Sequence, residues 1–377
     1  MTRDEWRYFL KAEIYFGNGS LERLTSILQK IGQKKGILVC GRGAMRKAGI
    51  LSRVERLAKE AGKGFVVFEE AEPNPKIETC EKGLALAKKE GCDFVIGLGG
   101  GSALDAAKAI SALMANEINI EKTISENIPL KNEAAFTIAI PTTSGTATEI
   151  NKFSVLTSSR GRKMAMRDEK IVPKIALIDP LLTLSCPPRV TAASGLDAIA
   201  HAVESYWSTK SNPVSRIFCI EAIKLANSNL EKAVKNGKDL KARENMALAS
   251  LYAGLGFSNT GTTDVHKISY PVTERLGLEH GFACALFLPE FIEFNIKGNE
   301  ITLKEIANAF GKKDAKKAAA RLRQIMKNVG APLKLKDLGA AKEDLEFIIK
   351  EGYSNNKRNN PRKIKISDLR KIVSTIA

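Results

Sequence analysis

Histidine is scarce in this chain, with His201, His266 and His280 the only three among 377 residues. Aromatic side chains make up only 6%, and no cluster of lysine and arginine is interleaved with stacking aromatics, so a nucleic-acid-binding protein finds little support. The six cysteines, Cys40, Cys80, Cys92, Cys186, Cys219 and Cys284, contain no C-x-x-C pair, and several lie inside apolar runs. That pattern suits reduced, buried thiols in a cytoplasmic protein. A secretion signal is not expected, because Arg3, Asp4, Glu5, Arg7, Lys11 and Glu13 interrupt every early apolar run. The longest apolar stretch, around Phe94 to Leu113, carries Gly97, Gly99, Gly100, Gly101, Asp105 and Lys108, which rules it out as a bilayer span. No membrane partner is expected. Acids are outnumbered, 42 against 59 lysines and arginines, for a net charge of +17. The basic residues are dispersed, except in the tail from Lys357-Arg358 through Arg362-Lys363 to Lys365. The preferred reading is a lysine-rich surface, over a field that attracts a polyanionic cofactor.

What is present is a rhythm. A chain of 41.0 kDa is long for one core, so two domains are expected. Short apolar runs at Gly36–Cys40, Phe65–Phe68, Phe94–Leu98, Phe136–Ile140 and Ile175–Ile178 read as buried strands. Between them Ile50–Ala61, Ile77–Glu90 and Ala103–Ala115 have helical periodicity, and strand–helix alternation implies a parallel sheet. Asp179-Pro180 and Cys186-Pro187-Pro188 end that rhythm, and helical patterns follow. The expectation is an α/β, Rossmann-like nucleotide-binding domain over residues 1–180 and an all-α metal-binding and substrate domain over 181–377.

Two loops read as phosphate and ribose sites. Phe94 to Ser102 runs from a strand into a glycine turn, and Ser102-x-x-Asp105 has the form of a capping box opening a helix, where free backbone N–H groups and the helix dipole favour an anion. Gly97-x-Gly99-x-x-Ser102 is only a variant of the dinucleotide fingerprint, and an empty βα turn is the alternative. Pro141-Thr142-Thr143-Ser144-Gly145-Thr146 follows a second strand with four hydroxyls in six residues. After the first strand read here come Gly41, Arg42, Gly43, Arg46 and Lys47, with no acid until Glu55. Basic side chains at that place suit the 2′-phosphate of NADP better than the 2′-hydroxyl of NAD.

Asp197 lies four residues before His201, so both fall on one face of a helix predicted from about Val190 to Ser208. With His266 and His280 they make a candidate set of one carboxylate and three imidazoles. Such donors suit Fe(II) or Zn(II) and not Mg(II) or Ca(II), which take oxygen shells.

Taken together, Gly99-Gly100-Gly101-Ser102-x-x-Asp105-x-x-Lys108, Pro141-Thr142-Thr143-Ser144-Gly145-Thr146-x-x-Glu149 and Gly195-x-Asp197-Ala198-x-x-His201-Ala202-x-Glu204 resemble the iron-containing, or group III, alcohol dehydrogenase family. Asn74-Pro75, Asp179-Pro180 and His280-Gly281 extend the likeness along the chain. The resemblance implies a metal held by Asp197, His201, His266 and His280 in a cleft between the two domains, and hydride transfer between NADP(H), or less favoured NAD(H), and a small alcohol or aldehyde. It implies cofactor contacts at Asn74, Gly100, Gly101, Ser102, Asp105, Thr142, Thr143, Thr146 and Lys163, beside the Gly41 and Arg42 read from the basic loop, and a homo-oligomer, a dimer. Two positions depart from the family. Tyr270 stands where many members have a second histidine, and becomes a candidate substrate or proton-relay group with packing as the alternative. Gly41 stands where NAD-using members carry aspartate. Glu204 is a possible partner for a ligand imidazole, with a surface salt bridge preferred. A polyol or sugar-phosphate dehydrogenase of the same superfamily is the second reading.

Overall fold

The computed structural model describes residues 5–354 and 359–377, so Lys357 and Arg358 of the basic tail lie outside the described residues. By internal contacts the chain divides into two units. One comprises Leu10–Thr143 and Ala147–Cys186, and the other the segment ending at Phe9, Ser144–Thr146 and Pro187–Ala377.

The first unit carries strands β1 (Glu13–Phe16), β2 (Lys35–Cys40), β3 (Gly64–Phe68), β4 (Phe94–Gly99), β5 (Phe136–Pro141), β6 (Phe153–Thr157), β7 (Lys163–Arg167) and β8 (Ile175–Ile178), and helices α1 (Arg23–Lys30), α2 (Ala44–Lys47), α3 (Ile50–Glu60), α4 (Ile77–Lys89), α5 (Gly101–Ala115) and α6 (Ile120–Ser125). Six strands form one sheet in the order β1-β8-β5-β4-β2-β3, every pairing parallel. Side chains alternate between two buried faces as the two-residue period of a strand requires. From β2, Ile37 and Val39 join the core under α4 and α5, while Leu38 and Cys40 join the core under α1 and α3. Because β3 lies on one side of β2 and β4 on the other, the order reverses beside β2. The carboxyl ends of β2 and β4 therefore flank a topological switch point, where open α/β sheets open a crevice.

The parallel α/β class is as the strand–helix alternation predicts, and among the pieces that the sequence reading did not include are the short helices α1, α2 and α6, one strand and one hairpin. β1 was not expected, because Glu13 and its charged neighbours mask a four-residue edge strand that pairs only with β8. Nor was the antiparallel hairpin of β6 and β7, whose outer strand, Lys163-Met-Ala-Met-Arg167, leaves most side chains half-buried or exposed and so gives little apolar signal.

The second unit is helical: α7 (Pro188–Trp207), α8 (Pro213–Lys235), α9 (Leu240–Thr260), α10 (Asp264–Leu276), α11 (His280–Phe294), α12 (Glu300–Ala309), α13 (Ala315–Asn328), α14 (Lys342–Ser354) and α15 (Ile366–Ile376). From Thr191 onward α7 is buried along nearly its whole length, so the polar residues there face protein and not water. In the basic tail, the Arg362 guanidinium sits 4.0 Å from the centre of the Phe294 ring and donates to the Phe294 carbonyl at 2.7 Å. This arginine packs against its own domain. Among the described residues no helix is long and apolar enough to cross a membrane, and no disulfide joins the six cysteines.

Candidate metal centre and nucleotide loops

Three helices bring together the acid and histidines singled out in the sequence. Asp197, His201 and Glu204 stand on one face of α7, spaced by four and three residues, His266 comes from the first turn of α10, and His280 opens α11. α11 can approach because residue 281 is glycine. A Cβ there would lie 1.9 Å from the Ala193 carbonyl oxygen of α7, and 3.1 Å from the Asp197 Cβ. Any side chain at 281 would therefore push His280 away from Asp197.

Asp197 sits at the centre of the group. His266 Nε2 lies 3.4 Å and His280 Nε2 3.9 Å from Asp197 Oδ1, while His201 Nδ1 lies 3.8 Å from Oδ2. The His201 ring is stacked between neighbours, 4.1 Å from Phe257 and 4.5 Å from His266 between ring centres. Asp197 Oδ1, His201 Nδ1 and His266 Nε2 are buried yet make no hydrogen bond. Leaving buried polar atoms unmatched costs about 1–3 kcal/mol each, so three converging ones need an external partner. A cation fits this donor set.

The protonation states of Asp197 and His201 suit a cation, whereas at His266 burial is outweighed by Cys284, Glu204 and Asp197, which hold this imidazole well above its ordinary range, so a cation must displace a proton there. Burial would raise the Asp197 carboxyl, but His201, His266 and His280 outweigh it and hold the group well below the usual carboxylate range. Burial pushes His201 down to about 4, against the pull of Asp197, so this imidazole is neutral at pH 7 as a metal ligand must be. His201 also hydrogen-bonds the Gly145 backbone, and that bond falls to the nitrogen other than Nδ1.

Glu204 corrects the sequence expectation of a surface salt bridge. It is wholly buried. Its Oε1 accepts the Thr263 N–H at 2.8 Å and the Thr263 hydroxyl at 2.6 Å, and its Oε2 meets His266 Nδ1. This bond holds a proton on Nδ1, so Nε2, which faces Asp197, is the nitrogen left to bind a cation once its own proton is displaced. Tyr270 stacks on His280 at 5.6 Å between ring centres, with the Lys267 ammonium 5.7 Å from the centre of its own ring, and burial raises its phenol pKa. One further donor, absent from the sequence reading of the metal set, stands beside them. Cys284, one helical turn beyond His280, lies in a cluster with Asp197, His266 and His280 whose ligand atoms are all within 4.8 Å of one another. The signal was available, since Cys284 follows His280 by the same four residues that separate His201 from Asp197.

In the sheet unit, the candidate cofactor residues lie at strand ends, in the loops after them and in the first turns of α5. Gly99, with φ of +141°, turns the chain out of β4 in a conformation side chains avoid. α5 then starts at Gly101 on the N-cap Gly100, with no side-chain cap. The expected capping box is absent: Ser102 Oγ accepts the Asn74 N–H at 3.2 Å, and Asp105 turns inward. The Asp105 carboxylate accepts the Thr148 hydroxyl at 2.6 Å and the Val155 N–H at 3.1 Å, so it holds the loop after β5 and β6 in place. Beside it Lys108 is wholly buried and donates to the Thr148 carbonyl, to the Asn151 carbonyl and side chain, and to the Phe153 carbonyl. Burial lowers its pKa to about 8, and raises Asp105 to about 6 and Glu149 to about 7.

Asn74 has φ of +55°, and its carbonyl accepts the Thr157 hydroxyl at 2.9 Å; Thr157 pairs with Lys163 across the hairpin. Ser102, Asn74 and Lys163 are thereby linked. Thr143 stands beside Gly100, where an added Cβ would lie 3.4 Å from its side chain, and the Thr142 N–H bonds the Gly99 carbonyl at 2.9 Å. Thr146 falls instead within the helical unit. At the end of β2, Glu69 corrects the picture of an acid-free loop. It accepts the Gly43 N–H at 3.0 Å and pairs with Arg46 at 3.0 Å, although it lies 26 residues along the chain from Gly43.

Two family descriptions cover these regions: "iron-containing alcohol dehydrogenase" matches residues 11–180, and the C-terminal description of the same family matches 191–377. An NAD-dependent methanol dehydrogenase of Bacillus methanolicus is 33% identical over 376 residues, 97% of this chain and 98% of its own. An NADPH-dependent butanol dehydrogenase of Clostridium saccharobutylicum is 38% identical over 298 residues, 77% of this chain and 74% of its own. Among solved structures, an alcohol dehydrogenase from Oenococcus oeni superposes with a TM-score of 0.95 at 31% identity, covering 99% of this chain and all of its own. With its fold and both halves matched, this chain belongs to the iron-containing alcohol dehydrogenase family, and is an oxidoreductase of the alcohol dehydrogenase type.

Proposed function

We propose that the chain moves a hydride between NADP(H) and a small alcohol or aldehyde, with residues 1–180 binding the dinucleotide and 181–377 binding the metal and substrate. The observation that carries this reading is the convergence of the unpaired atoms Asp197 Oδ1, His201 Nδ1 and His266 Nε2, with His280 beside them. Bound there, Fe(II) or Zn(II) supplies Lewis-acid polarisation of the substrate oxygen, and a bound nicotinamide gives or takes the hydride. The chain's own groups do the rest. The Asp197 carboxylate offsets part of the cation's charge, His201 presents a neutral nitrogen, and Glu204 holds the proton of His266 on Nδ1 so that Nε2 is the nitrogen a cation takes on displacing its proton. Tyr270 walls the His280 side of the site and holds its proton at neutral pH. In the sheet unit, the amide groups of Gly100, Gly101 and Ser102 at the start of α5 suit a diphosphate, and the hydroxyls of Thr142, Thr143 and Thr146 suit phosphate or ribose oxygens.

The choice of NADP rests on Arg42 and Lys47 and on the missing side chain at Gly41, since Arg46 is engaged by Glu69. A Cβ at 41 would lie 3.3 Å from the Ala71 carbonyl oxygen, close enough to need a small local shift and no more. Gly41→Asp should thus fold and turn the preference toward NAD, and an unchanged NADPH/NADH ratio in kcat/KM would defeat this account. A homo-oligomeric, cytoplasmic enzyme is part of the same reading, to be checked by light scattering and by fractionation of source cells. The decisive experiment is anaerobic purification with metal analysis, followed by NADPH-linked turnover of alcohols, aldehydes, polyols and sugar phosphates before and after chelation. His266→Ala should lose both metal and turnover. Full turnover by metal-free protein would overturn the proposal.

A further inference from the structure

We infer that Cys284 donates its sulfur to the same cation as Asp197, His266 and His280, giving this chain a thiolate in its metal centre. The inference rests on the metal-binding reading above. Its basis is geometric. With metal–nitrogen bonds of about 2.0–2.1 Å and metal–sulfur bonds of about 2.3 Å, tetrahedrally disposed donors lie roughly 3.4–3.7 Å apart. Cys284 Sγ lies 3.7 Å from His280 Nε2, His266 Nε2 lies 3.4 Å and His280 Nε2 3.9 Å from Asp197 Oδ1, and the four atoms stay within 4.8 Å of one another. The 3.4 and 3.7 Å separations fall in that range and the 3.9 Å one lies just beyond it. His201 lies outside this four-donor group, 3.8 Å from the other oxygen of Asp197.

The second, independent observation is that two atoms facing this cluster, Asp197 Oδ1 and His266 Nε2, are buried without partners. A cysteine placed only for packing would be surrounded by apolar atoms, as small buried thiols usually are. Cys284 belongs to the helical core but also lies against the His280 imidazole and near the Asp197 carboxylate, and α11 presents it on the face of His280. On metal binding the thiol S–H bond breaks, the proton passes to solvent, and the sulfur lone pair forms the metal bond. Asp197 and the Cys284 thiolate together then balance a dication's charge, and the soft donor favours Zn(II), Co(II) or Fe(II) over oxygen-preferring ions.

The test is titration of chelator-stripped, anaerobic full-length protein with Co(II), read by absorption. A thiolate-to-cobalt charge-transfer band in the near ultraviolet should grow with the visible ligand-field bands and saturate at one equivalent. It should persist in Cys92→Ser and vanish in Cys284→Ala, with cobalt still bound by elemental analysis. Ligand-field bands without the charge-transfer band in the unaltered protein would overturn the thiolate while leaving the metal centre standing. No binding of cobalt at all would overturn both. If Cys284→Ala fails to fold, the spectrum of the unaltered protein decides.

Discussion

Glu204→Gln isolates the role of a carboxylate that touches no metal ligand except His266. With the new amide oxygen in the place of Oε1, the two Thr263 bonds at 2.8 and 2.6 Å survive, and the packing volume is unchanged. The amide nitrogen then occupies the place of Oε2 and opposes the Nδ1–H of His266, donor against donor. His266 escapes by moving its proton to Nε2, where the Asp197 Oδ1 acceptor waits 3.4 Å away. That tautomer has no lone pair left for a cation. Metal binding must reverse the switch, and the loss expected on removing such a ligand-orienting partner is about 10–100-fold in affinity, roughly 1.4–2.7 kcal/mol. The assay is competition for Zn(II) or Co(II) against a chromophoric chelator, with thermal unfolding of the metal-free protein as the control for folding. The metal-free midpoint should move by only a few degrees. Unchanged affinity in Glu204→Gln would refute the tautomer argument, and an equal loss of affinity in Thr263→Val would assign the effect to loop placement.

Gly281→Ala should be more damaging than its size suggests, because the added Cβ would sit 1.9 Å from the Ala193 carbonyl oxygen; a loss of about 1–3 kcal/mol in urea unfolding, with weakened metal retention, is expected. Lys108→Met strands the Thr148, Asn151 and Phe153 carbonyls in the core and should cost about 3–5 kcal/mol by the same measurement, whereas a near-neutral result would show that the buried ammonium is dispensable. Glu149 gives a pH test: burial lifts its carboxyl from 4.5 to about 7, so the native state keeps a proton that the unfolded chain has released. Stability should therefore fall as pH rises from about 4.5 to about 7, by at most about 1.4 kcal/mol per pH unit for this group. Asp105, lifted by burial to about 6, adds to the slope below pH 6, so Glu149→Gln should flatten the curve in part, and an unaltered slope would refute the assignment.

Local pattern announced several features that the folded chain keeps. The alternation of apolar strands and amphipathic helices to Ile178 specifies a parallel sheet, because strands buried on both faces must be apolar throughout and must be joined by crossovers. The four-residue spacing of Asp197 and His201 on one helix face needs no tertiary information, and neither does the glycine turn at the end of β4. Wherever a polar side chain had to choose a distant partner, local pattern was silent or misleading. Asp105 read as a cap but turns inward to Thr148 and Val155, and Glu204 read as exposed but is buried on Thr263 and His266, 59 and 62 residues further on. Glu69 supplies the acid that the stretch from Ile37 to Glu55 lacks. Spacing along a helix says which groups share a face, and burial and helix-to-helix approach say what that face meets. The donor types of this centre were thus written in the chain's residues, while the tautomer of His266, the approach of His280 through Gly281 and the place of Cys284 were settled only when α7, α10 and α11 packed together.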